Sequence, residues 1–265
     1  MYKTITKFAV AMAIIAGLAS KAEAVTFTIT DGDLSATAEF TVSGSQLFIT
    51  LSNTSSGTSE VPVEVLGGVL FDICTSVYLS PVSATVSGGS TIVQADQCDP
   101  GPCEGVTNVG GEFGIDGNLS GPGTDTWDWG IGANGQIGGT GDFGGADLDD
   151  PAALNGMNFG LVPTGFVAGD GNNAMDSEPF ISNSVSFILN ILTGPGGTAT
   201  TFDENLITNV AFLYGTSWTV LTTNGVTTTD VTTLITEDVV PEPGSLILLG
   251  TGLALAGRRF RRRKS

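Results

Sequence analysis

Apolar and polar residues alternate with a period of two at the start of the chain, once a short N-terminal segment has passed. In "VTFTIT" the residues Val25, Phe27 and Ile29 share one face and three threonines share the other. "LSATAEFTV" repeats the arrangement, with Leu34, Ala36, Ala38, Phe40 and Val42 on one side and Ser35, Thr37, Glu39 and Thr41 opposite. That is the pattern of a half-buried strand. After "SGS" the alternation resumes at Leu47, Ile49 and Leu51, which predicts a hairpin. Further strand candidates are "VPVEVLGGVLFDI", "SVSFILNIL", "TNVAFLYGTSWTVL" and "GVTTTDVTTLI". Threonine and β-branched residues dominate them, and no segment of the body sustains a 3.6-residue apolar period. The expected fold is all-β, an antiparallel β-sandwich of jelly-roll or immunoglobulin-like type with about ten or more strands and long Gly/Asp-rich loops. Residues 25–238 are expected to form one such domain.

Both chain ends depart from this pattern. Lys3 and Lys7 precede an apolar run from Phe8 to Ala19, and Ala22-Glu23-Ala24 supplies small residues at the positions flanking a cleavage site. Residues 1–24 therefore read as an export signal cut after Ala24. At the other end Pro241, Glu242 and Pro243 precede an uncharged run, Ser245 to Gly257, and then an arginine cluster. Those 13 residues would span about 20 Å as a helix, short of a hydrocarbon core of about 30 Å. Snorkelling arginines narrow the gap, so residues 239–265 are expected to hold a short transmembrane helix with the basic tail inside and the body outside.

Charge sharpens the picture. All nine Lys and Arg residues lie in the two terminal segments, at Lys3, Lys7, Lys21 and from Arg258 to Lys264. Removing Glu23 and Glu242 from the 27 acids leaves 25 carboxylates between Val25 and Val240, with no basic side chain among them. Nucleic acid and anionic lipid are excluded as partners of such a surface. The chain has no histidine, and its body has no lysine, so Ser-His-Asp, Cys-His and Schiff-base chemistry cannot be assembled there. A glycoside hydrolase using a carboxylate pair from Asp125, Asp128, Asp147, Asp149 or Asp150 is the one enzymatic alternative.

Between Gly101 and Gly145 there are sixteen glycines in 45 residues, which predicts turns and loops in place of regular sheet. "GGEFGID" and "GGTGDF" resemble the repeats of calcium-binding β-rolls but lack their nine-residue spacing. Calcium is the one cofactor the acids suggest, with Asp147, Asp149, Asp150, Asp170, Asp176 and Glu178 as candidate ligands. "CDPGPC" brackets a Pro-Gly-Pro turn, so Cys98 and Cys103 are expected to pair and leave Cys74 over, with a Cys74–Cys98 bridge as the rival. "WDW" would set Trp127 and Trp129 on one side of a strand, where they could stack a sugar or close a core.

The order Pro-Glu-Pro, short apolar span, arginine cluster closely resembles the PEP-CTERM sorting signal of Gram-negative envelope proteins. The resemblance implies transient anchoring in the inner membrane and processing near Pro241, Glu242 and Pro243 by an exosortase, a multi-pass membrane enzyme. Release to the surface or the medium, often where exopolysaccharide is made, would follow. "ITNVAFLYGTS" is similar to a segment that recurs near the end of many such ectodomains. The expected function is that of a non-enzymatic surface or biofilm-matrix protein, its acidic face bridged by divalent cations or in contact with exopolysaccharide. The alternative is a carbohydrate-binding module with Trp127, Trp129 and Trp218 as stacking residues.

Overall fold

Three strands joined by two Gly-led turns open the fold. In a computed structural model of the chain the described residues are 24–57, 59–98, 101–120, 125–133, 146–148, 159–169, 175–215 and 219–222. They lie within one compact unit, Met1–Thr229. In chain order the strands are β1 (Ala24–Asp31), β2 (Leu34–Ser43), β3 (Gln46–Asn53), β4 (Leu66–Ile73), β5 (Tyr78–Val86), β6 (Thr91–Val93) and β7 (Gly114–Ser120). There follow β8 (Thr126–Gly132), β9 (Ala146–Asp147), β10 (Leu161–Val162), β11 (Phe180–Ser182), β12 (Ser184–Leu192), β13 (Ile207–Tyr214) and β14 (Thr219–Thr222).

Asp31 pairs with Leu34, and Ser43 with Gln46, so each connection is a two-residue turn. Gly32 and Gly44 both stand at φ +61 while the residues after them keep negative φ. This is the type II′ arrangement, whose twist suits a hairpin and which calls for glycine at its first position. The resulting register puts Ala36, Ala38, Phe40, Leu47, Ile49 and Leu51 wholly out of solvent, as the alternation requires.

The first sheet runs β1-β2-β3-β12-β5, antiparallel throughout. Pro81, which cannot donate to a ladder, sits on its edge strand β5 beside a break in register. The second sheet is organised around β4, whose sequence LGGVLFDI is buried at every position but Asp72. β13 pairs along one side of β4 and carries β14 beyond it. The other side of β4 takes β8 at Gly68 to Phe71 and β10 at Leu66, so the sheet divides there into β8-β7-β9 and β10-β11-β6. A strand covered on both faces reads as a continuous apolar run, and β4 does.

The two sheets close on one core. Phe40 meets Phe71 across the interface at 5.1 Å between ring centroids, and Phe113 meets Phe187 at 5.0 Å, both edge-on. Such pairs add about 0.5–1.5 kcal/mol each beyond area burial. Asn53, buried at the end of β3, donates its Nδ2–H to the carbonyl of Leu161 at 2.9 Å and so ties the first sheet to β10. The protein is an all-β sandwich.

The glycine-rich middle departs from expectation. Strands β7 and β8 both lie inside it, because several glycines serve close packing within sheet. Gly117 pairs with Trp129, whose indole passes 3.3 Å from where a Gly117 Cβ would stand. Gly68 faces Gly132, and a Cβ there would run into the Ile131 carbonyl and the Gly132 Cα. Among the described residues no helix is long and apolar enough to cross a membrane.

Candidate functional site

A line of four polar residues crosses the second sheet at one level and breaks its regularity. On β13, Asn209 adopts φ +50, and Asn209 with Val210 occupies the space opposite Phe71, a one-residue bulge. On β7, Asn118 adopts φ +57, and the ladder to β8 skips the Asn118 and Asp128 position. Asparagine is one of the few residues that tolerates this left-handed backbone. Between these two strands lie Asp72 on β4 and Asp128 on β8, where side chains replace the missing ladder bonds. The Asp128 N–H donates to Asp72 Oδ1 at 2.8 Å, and the Ile73 N–H donates to Asp128 Oδ2 at 3.0 Å. The Asn209 Nδ2–H donates to Asp72 Oδ2 at 2.9 Å.

The break sends the two tryptophans to opposite faces, which corrects the expectation that they share one side of the strand. Trp127 is buried with Leu70, Leu119, Ala211 and Leu213, on the face of the sheet away from the core. Its Nε1–H donates to the Asn209 carbonyl at 3.0 Å. Trp127 is thus a packing residue. Trp129 faces the other way and borders the main core.

Where Trp129 emerges, the ends of the two sheets frame a cleft of about 790 Å³. Its walls come from the β4–β5 connection, from Ile115 to Asn118 on β7, from Asp128 and Trp129 on β8, and from Pro195 after β12. Tyr78 stands edge-on to Trp129 with centroids 5.5 Å apart. Asp116, Asn118 and Asp128 bring two carboxylates and an amide beside these rings, and the exposed Cys74 thiol lies at the margin. Each carboxylate has one oxygen engaged by backbone: Asp116 Oδ1 by the Gly117 N–H at 2.7 Å, and Asp128 Oδ2 by Ile73.

The other predicted residues are dispersed. Asp125 is exposed beside β8, and Asp147 forms β9, which pairs with Gly114 of β7. Asp176 is exposed; burial pushes the Glu178 carboxyl above its ordinary range. Asp149, Asp150, Asp170 and Trp218 lie outside the described residues, as do Ala22, Pro241, Glu242 and Pro243; Ala24 begins β1. Among the described residues no group of three or more Cys, Asp or Glu side chains is placed to hold a metal. Cys98 and Cys103 are bonded to each other with Cα atoms 5.8 Å apart, and Cys74 is free. Sequence reading missed Tyr78, Asp116 and Asn118 as members of a site. Tyr78 reaches it from the opposite sheet, and only the Gly-Asn step after Asp116 hinted at irregular backbone.

The fold and the cleft together define an acidic all-β sandwich with an aromatic, carboxylate-lined recess among the described residues. Residues 239–264 match the PEP-CTERM protein-sorting motif. The chain is therefore a PEP-CTERM motif-bearing protein, exported and sorted to the cell envelope by an exosortase. No curated protein and no solved structure matches the chain.

Proposed function

We propose that the mature protein is a non-enzymatic component of the cell surface or extracellular matrix that works in contact with exopolysaccharide. The observation that carries this reading is the sorting motif at residues 239–264, placed behind a β-sandwich body with no basic side chain from Val25 to Gly257. A body without histidine or lysine lacks the usual nucleophile-activating bases, which favours binding or structural work over catalysis. Its 25 carboxylates take up cations, calcium among them, from the medium. On this reading the N-terminal segment is cut after Ala24, and the apolar run from Ser245 holds the chain in the inner membrane until exosortase acts. Prolines on both sides of Glu242 keep that residue extended and accessible to a processing enzyme.

Intact-mass analysis of released protein tests the scheme. The mature chain should begin at Val25 and lack Arg258 to Ser265, and Glu242→Ala should leave it in the inner membrane. Surface material that still carries the arginine cluster, or normal release of the variant, would refute it.

A further inference from the structure

The cleft beside Trp129 carries hydrogen-bonding groups that the fold leaves open. The Tyr78 hydroxyl, the Trp129 indole N–H, the Asn118 amide and one oxygen each of Asp116 and Asp128 make no hydrogen bond to another of the described residues. Donors and acceptors are therefore both on offer, next to two aromatic rings 5.5 Å apart. A sugar presents the matching surface, since its hydroxyls both donate and accept while its C–H face packs on an aromatic ring. The volume of about 790 Å³ falls in the range of small-ligand sites, about 300–1,000 Å³. Charge narrows the class further. Two carboxylates line the cleft, and no Lys, Arg or His exists anywhere from Val25 to Gly257 to receive an anion. A uronic acid or a sulfated sugar would meet only repulsion there.

We propose that this cleft binds a polysaccharide segment free of anionic groups, with a sugar ring against Trp129 and Tyr78 and its hydroxyl or ammonium donors on Asp116 and Asp128. Asn118 contributes its amide because its left-handed backbone turns the strand at that point. The inference rests on the reading as a polysaccharide-associated surface protein and supplies its binding site. The role of the polar line across the second sheet is positional: the Asp128 N–H donates to Asp72 Oδ1 and the Ile73 N–H donates to Asp128 Oδ2, and together they hold Asp128 at the recess.

The test uses the purified mature chain and a panel of neutral, amino-sugar and uronate oligosaccharides of the common linkages, in chelator, read by indole fluorescence and calorimetry. Neutral or amino-sugar oligomers should bind, and uronate oligomers should not. Trp129→Ala should weaken binding about tenfold or more. Asn118→Gly, which keeps the left-handed backbone and removes only the amide, should weaken it by a smaller factor and guards against misfolding of the first variant. On the unaltered chain, bound oligosaccharide should slow alkylation of Cys74, the one free thiol among the described residues. Binding by no member of the panel, equal binding of uronates, or turnover of the oligomer would overturn the proposal. A correctly processed chain that ignores sugars defeats this inference alone. A sugar-binding chain that keeps its tail defeats only the sorting scheme.

Discussion

Tyr214 shows how one side chain can set the alkaline limit of this fold. It is fully enclosed at the end of β13, and its hydroxyl has no hydrogen-bond partner. Burial pushes its ionisation up to about 12, with a smaller opposing influence from the Ser55 hydroxyl, which does not reach hydrogen-bond geometry. Because the folded value is raised, the stabilisation is whole below about pH 10, where an unfolded tyrosine begins to ionise, and it is lost as pH climbs toward 12. At about 1.4 kcal/mol per pH unit the full loss approaches 3 kcal/mol. The body has no lysine or histidine to blur this titration. Thermal unfolding from pH 9 to 12 should therefore show a falling midpoint, and Tyr214→Phe should flatten the fall. Near neutrality the same variant should gain about 1 kcal/mol, since it deletes an enclosed, unpaired hydroxyl. A variant less stable than the parent at pH 7 would mean that the hydroxyl has a partner after all.

At the scale of strands, the polar line Asn209-Asp72-Asp128-Asn118 does what no single strand could: it turns Trp127 outward and Trp129 inward. Asn209→Ala should cost about 2 kcal/mol, because it removes the bond to Asp72 and leaves alanine in a left-handed conformation. Asn209→Gly, which relieves the backbone, should cost about half as much in chemical denaturation. Equal losses would mean that the side-chain bond alone matters. Gly68→Ala tests the neighbouring contact, where the added carbon meets backbone of β8 and should destabilise by about 3 kcal/mol. These devices explain what was legible in the sequence. The β1-β2-β3 meander could be read residue by residue, because alternation and Gly-led turns are local signals. The seam could not, since a missing ladder position at Asn118 is decided by a strand 10 residues away and by another from a different part of the chain. The same distance hid the cleft: Tyr78 and Trp129 meet only when two sheets pack. Glycine density misled for a related reason, because Gly117 and Gly132 answer to neighbours across the sheet rather than to a turn.

For the molecule as a whole, the decisive quantity is the unbalanced charge. The 25 carboxylates from Val25 to Val240 face no basic side chain, so folding gathers like charges with nothing internal to offset them. Added salt should therefore stabilise the mature protein, most steeply at low ionic strength, where the screening length shortens from about 30 Å at 0.01 M to about 8 Å at 0.15 M. Screening alone predicts that sodium chloride and calcium chloride raise the melting temperature equally at matched ionic strength. Cation uptake predicts more from calcium, since a ligand held only by the native state adds RT ln(1 + [L]/Kd), about 2.7 kcal/mol at 100 times Kd. The expected result is a rise with either salt and a larger rise with millimolar calcium, reversed by chelator. The described residues hold no cluster of three or more acids, so the extra rise would direct attention to Asp147, Asp149 and Asp150 or to Asp170, Asp176 and Glu178. Replacing Asp149 and Asp150 together by asparagine, and separately Asp170 by asparagine, should then abolish the calcium increment in one case and spare it in the other. Equal effects of the two salts on the parent protein would reduce the acidic surface to a solubility feature, and matrix contact would have to run through the cleft alone.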